Sequence, residues 1–452
     1  MHEAAAREAE RSAQPAPPSR AEAFKFWLKL GFISFGGPAG QIALLHQELV
    51  ERRHWISERR FMHAVNYCML LPGPEGQQLA TYMGWLLHRT WGGIVAGSLF
   101  VLPSLAILVS LAWLYVVAGD VPIVQGIFYG IKPAVVAIVV HAAVRIGSRV
   151  LSNVWLWMIA AASFIATFAL DVPFPAIVAV AASIGFVGGR WKPERFMATS
   201  SHASTRASQR PSLIDDDTPV PSHAQFTWPR LLRVVSAGVM LWVIPMSALW
   251  LAFGWVHPWT QMGWFFTKAA LLTFGGAYAV LPYVYQGAVE HYRWLTPGQM
   301  MDGLALGETT PGPLIMVVTF VAFVGAYAHP ALSPAGSFVD GAIAAVLVTW
   351  FTFLPSILLI LAGGPVVEST RGNLSFTAPL TAITAAAVGL ILSLAVFFSY
   401  HVLWPGGFGD RIDLVSLALS AAAAAALIGL KRPVTHVILA CGMAGLVITL
   451  FW

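Results

Sequence analysis

An all-α polytopic membrane protein is the fold class predicted by this sequence, built from two inverted structural repeats with interrupted or re-entrant helices. Three observations predict it. Hydrophobic residues make up 57% of the 452 and charged residues only 10%, against the roughly 25% charge of soluble domains. Apolar runs long enough to cross a bilayer core of about 30 Å recur along the chain. A set of short motifs returns at one fixed spacing in the second half.

Residues 1–24 are rich in Ala, Glu and Arg without an apolar core, so no cleavable signal peptide is expected. Apolar segments follow at 26–49, 62–88, 91–118, 121–147, 152–170 and 172–189. From Arg190 to Arg230 the chain turns polar, with Ser, Pro, His and the run Asp215-Asp216-Asp217, which reads as a disordered linker. Segments then resume at 231–255, 261–289, 298–328, 340–362, 374–400, 412–430 and 433–452, about 13 in all. The expected organisation is a polar segment 1–24, a first membrane repeat 25–190, a linker 191–229, an extra connecting helix 230–256 and a second repeat 257–452. Net charge is +5, but the basic residues sit in short loops rather than on one stripe, so nucleic acid is not an expected partner. Cys68 and Cys441 lie in apolar runs and imply neither a disulfide framework nor a metal site.

The repeat is explicit. Phe35-Gly36-Gly37 returns 239 positions later as Phe274-Gly275-Gly276. At the same offset His54-Trp55-Ile56-Ser57 returns as Arg293-Trp294-Leu295-Thr296, and Pro72-Gly73-Pro74 as Pro311-Gly312-Pro313. Lys29/Lys268 and Glu51/Glu290 share it too, and after an insertion near Tyr327–Asp340 Pro103-Ser104 matches Pro355-Ser356. Such paired interruptions are the transporter pattern, although a purely structural duplication would also produce them.

The extra segment before the second repeat reverses its direction if the first half makes an even number of crossings. Arg52, Arg53, Arg59 and Arg60 flank the first Trp motif, whereas only Arg293 flanks the second. Basic loops favour the cytoplasm, so the two loops are expected on opposite sides. With Arg7, Arg11, Arg20 and Lys25 also inside, the segments broken at Gly36-Gly37-Pro38 and at Pro72-Gly73-Pro74 would enter and return.

Irregular backbone at membrane depth must be covered by protein or line a water-filled cavity. Helices restarting at Pro38 and Pro74, with two such ends in each half, would offer free N–H groups and positive dipole ends to an anion. The candidate binding residues are therefore Gly36, Gly37, Pro38, Pro72, Gly73, Pro74, Gln77, Gln78, Gly275, Gly276, Thr309, Thr310, Pro311, Gly312 and Pro313. Glu75 and Glu308 are membrane-depth carboxylates beside the breaks and candidates for proton coupling; each could equally be a neutral, hydrogen-bonded structural group. Lys132, before Pro133, either counters a substrate charge or snorkels to a helix end. His141, Arg145 and Arg149 read as topology markers, and Asn66, Tyr82 and His46 as packing residues. Trp85, Trp91, Trp155, Trp157, Trp255 and Trp259 read as interface anchors. No HExxH, GxSxG or Walker loop occurs, so no catalytic site, metal or cofactor is expected, and an ion or substrate gradient must drive any flux.

Phe35-Gly36-Gly37-Pro38, Trp55-Ile56 and Met69-Leu70-Leu71-Pro72-Gly73-Pro74-Glu75 together resemble the chromate ion transporter family. Gln78–Trp85, Phe100–Ser104, Phe274–Gly276 and Thr309–Pro313 extend the resemblance over about residues 25–190 and 260–452. It implies a long-chain, two-domain exporter of chromate in the bacterial inner membrane, with a cytoplasmic N-terminus and oppositely oriented halves. Sulfate, a dianion of similar shape, is then an expected competitor, and a homodimer is compatible with the resemblance. Rival readings are a transporter of another oxyanion or a small organic acid, a membrane-embedded enzyme pairing Glu75 with Glu308, and a scaffold.

Overall fold

The computed structural model describes residues 16–191, 212–216, 218, 221–332, 336–369, 377–407, 409 and 411–451. Sixteen α-helices form among them, with no β-strand. The first half comprises α1 (Arg20–Ile33), α2 (Gly37–His46), α3 (Glu58–Leu70), α4 (Glu75–Ala118), α5 (Pro122–Val150), α6 (Val154–Leu170) and α7 (Phe174–Trp191). The connecting helix is α8 (Trp228–Phe253). The second half comprises α9 (Pro258–Leu272), α10 (Ala277–Tyr285), α11 (Pro297–Thr309), α12 (Val317–Ala328), α13 (Phe338–Ser369), α14 (Thr377–Leu403), α15 (Leu414–Ala424) and α16 (Val434–Phe451). Seven of them, α4, α5, α7, α8, α13, α14 and α16, are long and apolar enough to cross a membrane.

The first two helices cannot cross one. At 14 residues, α1 is about 21 Å long, short of the roughly 30 Å core. The chain reverses at Gly36 and Gly37, both at positive φ (91° and 67°), where a side chain would be strained. Through α2 and a π-helical turn at Gln47–Arg52 it comes back to its start. Arg53 lies 3.5 Å from Glu22, and the Phe26 and Trp55 rings meet edge to face at 4.9 Å. A second hairpin follows, with α3 descending to Leu70 and the first arm of α4 returning.

That arm ends at His88 and Arg89, the latter at φ 57°, where α4 folds back on itself. Gly84 and Gly92 approach so closely there that a Cβ on either would strike the other's carbonyl. The second arm then runs the full depth, and its Tyr115 hydroxyl donates to Asp302 Oδ2 at 3.0 Å. Helix α13 runs antiparallel to it. Phe338 at its start packs on Trp113 at 5.4 Å. Near its end, Glu368 accepts from Tyr82 at 2.5 Å and lies 3.6 Å from Arg60.

The second half repeats this geometry from the other end. A π-helical turn recurs at Gln286–His291, and the turn after it bends at Arg293 (φ 55°) as the first bends at His54 (φ 51°). The hairpin closes where Phe265 faces Tyr292 at 5.7 Å and Phe266 faces Trp294 at 6.1 Å. The open ends of the first-half hairpins sit with Arg20, Arg53, Arg60 and Arg89; those of the second half sit with the Gly119-Asp120 turn, at the opposite end of α4. The inverted, re-entrant architecture follows from that opposition.

Two expectations need correction. The linker is not uniformly disordered: Leu213 and Ile214 donate backbone bonds to His54 and Trp55 (2.9 and 3.1 Å), and Ser57 Oγ donates to Asp216 at 2.6 Å. The polar composition is used to satisfy the bend at His54-Trp55; residues 192–211, Asp217 and Arg371 lie outside the described residues. Trp85 and Trp259 are not interface anchors, being buried among aromatic neighbours, whereas Trp91, Trp155, Trp157 and Trp255 are exposed as expected.

Because Cys68 and Cys441 are both buried, single introduced cysteines can report sidedness. Arg59→Cys and Arg89→Cys should react with an impermeant maleimide from one side of the membrane, and Asp120→Cys and His291→Cys from the other. Labelling of Arg89→Cys and Asp120→Cys from one side would overturn the hairpin arrangement.

Candidate functional site

Four helices restart at depth: α2, α4 and α10, together with the 3-10 turn Leu314–Met316 that leads into α12. The outer hairpin arms carry side-chain caps, from Ser19, Ser57, His257 and Thr296. The four inner restarts have none: Gly36, Pro74, Gly276 and Pro313 occupy their cap positions. First-turn amides have no partner within their own helix. Uncapped and aimed inward, they concentrate N–H donors and positive dipole ends in one region. Pro38 falls in the first turn of α2, as expected, while Pro74 and Pro313 sit one step earlier, at the cap.

Two reciprocal backbone bonds hold these tips together. Gly73 N–H donates to Thr273 O at 2.8 Å, and Gly312 N–H donates to Ser34 O at 2.9 Å. Ser34 and Thr273 are themselves 239 positions apart and end α1 and α9. Each Pro-Gly-Pro break is thus tied to the Phe-Gly-Gly break of the opposite half. Gly73 (φ 132°) and Gly312 (φ 105°) can do this only as glycine. Ser356 and Ser104 occupy the space that a Cβ on either would need. The exchange is symmetric: Ser104 of the first half backs Gly312, and Ser356 of the second backs Gly73.

The surrounding side chains are buried and under-satisfied. Gln41 donates to Gly312 O at 2.7 Å and Gln78 to Pro72 O at 2.8 Å, stitching the breaks further. Gln77 donates to Thr81 at 3.2 Å. Gln77 Oε1, Gln78 Oε1, Ser104 Oγ and Ser356 Oγ are buried without a hydrogen-bond partner among the described residues. Buried unpaired polar atoms are costly, and clusters of them in a native fold ask for a functional reason. Thr309 and Thr310 donate their hydroxyls to carbonyls of α11, so they terminate that helix rather than point donors outward.

The carboxylates sit asymmetrically. Glu75 opens α4, half-buried, and its Oε1 lies beside Gly276. Glu308 near the end of α11 accepts from the Tyr278 hydroxyl, and the Arg145 charge acts on both. Lys132 stands apart from the tips, 3.8 Å from Asp302 Oδ2, lining a polar pocket of about 670 Å³ with Asp120, Gln125 and Gln299. Asp302 is buried, with Oδ1 unpartnered among the described residues. Neither Asp302 nor Gln41 was singled out in the sequence. Asp302 could have been found as a third membrane-depth carboxylate, but Gln41 corresponds to Val280 and gives no repeat signal.

Comparison with known proteins settles the family. The chromate transporter family model matches residues 21–186 and 260–446. This chain belongs to the chromate transporter family. A chromate transport protein of Pseudomonas aeruginosa is 32% identical over 97% of this chain and 95% of its own length. A probable chromate transport protein of Synechococcus elongatus is 27% identical over 95% and 94%. A chromate transport protein of Cupriavidus metallidurans is 27% identical over 82% and 80%. No solved structure matches the chain. The family member is accordingly a transport protein, not an enzyme.

Gly73→Ala or Gly312→Ala should lower stability by about 1–3 kcal/mol each, from forced left-handed backbone and displacement of the serine behind it. The readout is the thermal unfolding midpoint of protein purified in detergent. A Gly429→Ala control, at a glycine with open space and ordinary φ, should change it little.

Proposed function

We propose that this chain is a proton-coupled secondary transporter that exports chromate, holding the dianion at the half-helix N-termini where the two repeats meet. The observation that carries the reading is the reciprocal bracing of Gly73 to Thr273 and Gly312 to Ser34, which gathers four uncapped helix starts. Amides of Gly37, Ala39, Gly76, Gln77, Ala277 and Tyr278 are the donors this reading assigns, with the second N–H of the Gln77 and Gln78 side chains. Backbone donors need no buried cation, which suits a dianion that must be released again. Chromate is favoured among oxyanions by the relatives' names, two of which are chromate transport proteins and one a probable one. Sulfate is the alternative substrate of like shape.

Coupling is assigned to Glu75 and Glu308. An ionised Glu75 beside the tips repels an entering dianion, and a protonated one admits it. Glu308 with Tyr278 and Arg145 provides a second site with its own charge compensation. Lys132 would meet the anion in the pocket at the far face rather than at the tips. The face bearing Arg20, Arg52, Arg53, Arg59, Arg60 and Arg89 is assigned to the cytoplasm by its positive charge, so this reading has the N-terminus inside; the bacterial inner membrane is the membrane proposed, by analogy with the bacterial relatives.

The test is radiolabelled chromate uptake into everted vesicles. An acid exterior, which protonates Glu75 on the side from which chromate enters, should accelerate uptake, and excess sulfate should reduce it. Glu75→Gln, fixed in the neutral form, should flatten the pH dependence, while Tyr278→Phe should alter it less than Glu308→Gln does. Uptake that ignores the pH gradient in the parent protein would sink the coupling, and absence of chromate uptake would sink the substrate.

A further inference from the structure

A second cavity outside the tips is a trench of about 650 Å³ on the flank of the protein, between the second arm of α4, the connecting helix α8 and α13. Its walls are apolar. Leu102, Leu241, Val346 and Trp350 line it and remain 40–52% exposed. Helices α8 and α13 meet along one side, where Gly238 abuts Leu358 and the Trp350 indole donates to Leu241 O at 3.1 Å. The wall on α4 runs from Arg89 to Leu105 and that on α8 from Arg230 to Leu241. At 1.5 Å per residue these stretches are about 16–24 Å long, comparable with one leaflet of a roughly 30 Å hydrocarbon core.

One end of the trench is polar. Arg89, Arg230, Arg233 and His223 line it there. No carboxylate lies within ion-pair distance of any of the three arginines among the described residues. Arg230 lies over the Trp85 ring at 5.7 Å, and His223 is held by Trp85 O at 3.1 Å, so the cluster rests on a buried aromatic floor. Burial lowers the His223 pKa, helped by the Arg230 and Arg89 charges, so the imidazole is neutral at pH 7 and the guanidiniums carry the charge. Arg89 is held in place by the left-handed backbone at the fold-back of α4.

We propose that this trench is a binding site for an anionic phospholipid of the same leaflet, its phosphate among Arg89, Arg230 and Arg233 and an acyl chain along Leu102, Leu241 and Val346. Charge complementarity decides the occupant. A one-leaflet apolar slot ending in three cations without a carboxylate partner among the described residues matches the two-part anatomy of such a lipid, and basic pockets between membrane helices on one face are the known form of headgroup recognition. A protein partner would leave those cations uncompensated unless it brought its own acids to them. The site lies at the seam of the molecule, since its walls come from the first half, the connecting helix and the second half. The inference is independent of which anion is transported.

The experiment is native mass spectrometry of the full chain, delipidated in neutral detergent and then offered phosphatidylglycerol or phosphatidylcholine of equal chain length. Phosphatidylglycerol should bind at least about tenfold more tightly, and inorganic phosphate at the same concentration should not displace it. The Arg89→Gln/Arg230→Gln/Arg233→Gln variant should lose the preference, while Arg52→Gln/Arg59→Gln, which removes charge from the same face away from the trench, should keep it. Leu102→Trp/Val346→Trp, which fills the slot and leaves the arginines, should lose bound lipid; it covers the case in which the triple variant does not fold. Equal binding of the two lipids, or an undiminished preference in the triple variant, would overturn the site. So would a dimer that dissociates when the slot is filled, since a second copy would then be the occupant.

Discussion

A peptide group has no partner in hydrocarbon, and that constraint organises this molecule. Wherever the chain abandons a helix at depth, something else must take up the freed N–H and C=O groups. The two exchanged bonds, Gly73 to Thr273 and Gly312 to Ser34, do part of this work, and they do it across the boundary between the repeats. Gln41 and Gln78 complete it by donating to Gly312 O and Pro72 O. Amides at the starts of the inner arms are left over. A local failure of helix thus becomes a cluster of oriented donors that water would otherwise have solvated.

Inversion makes the exchange possible. Two hairpins entering from opposite faces bring their tips to a common level, and the odd number of crossings supplied by α8 allows one polypeptide to provide both orientations. Symmetry governs the backbone but stops at the acids. Glu75 has Leu314 at its counterpart position and Glu308 has Met69. The halves therefore share a scaffold but not their acids, each contributing one carboxylate on a different side of its break.

Much of this was legible in the sequence, because glycine and proline at a fixed spacing announce positions where regular backbone is impossible. The breaks at Gly36-Gly37 and Gly312, the re-entrant first segment and the reversal of the second half all follow from residue spacing and basic charge. What stayed hidden depends on where distant segments meet. Pro103-Ser104 and Pro355-Ser356 were visible as a repeat, but nothing local says that each serine backs a glycine of the other half. Trp85 misled for the same reason: its position near a segment end suggested an interface, and the fold-back at His88-Arg89 buried it.

The exchanged bonds also bear on how the protein is made. Gly73 enters the membrane long before its acceptor, Thr273, has left the ribosome. At about 5–20 residues per second, the intervening stretch takes about 10–40 s to synthesise. For that interval the first half holds a bare amide and two loose hairpin tips inside the bilayer, with no mate of its own. Insertion must therefore be assisted or deferred: the early half waits in a sheltered compartment, beside the translocation machinery or partly outside the hydrocarbon, until the late half arrives to close it.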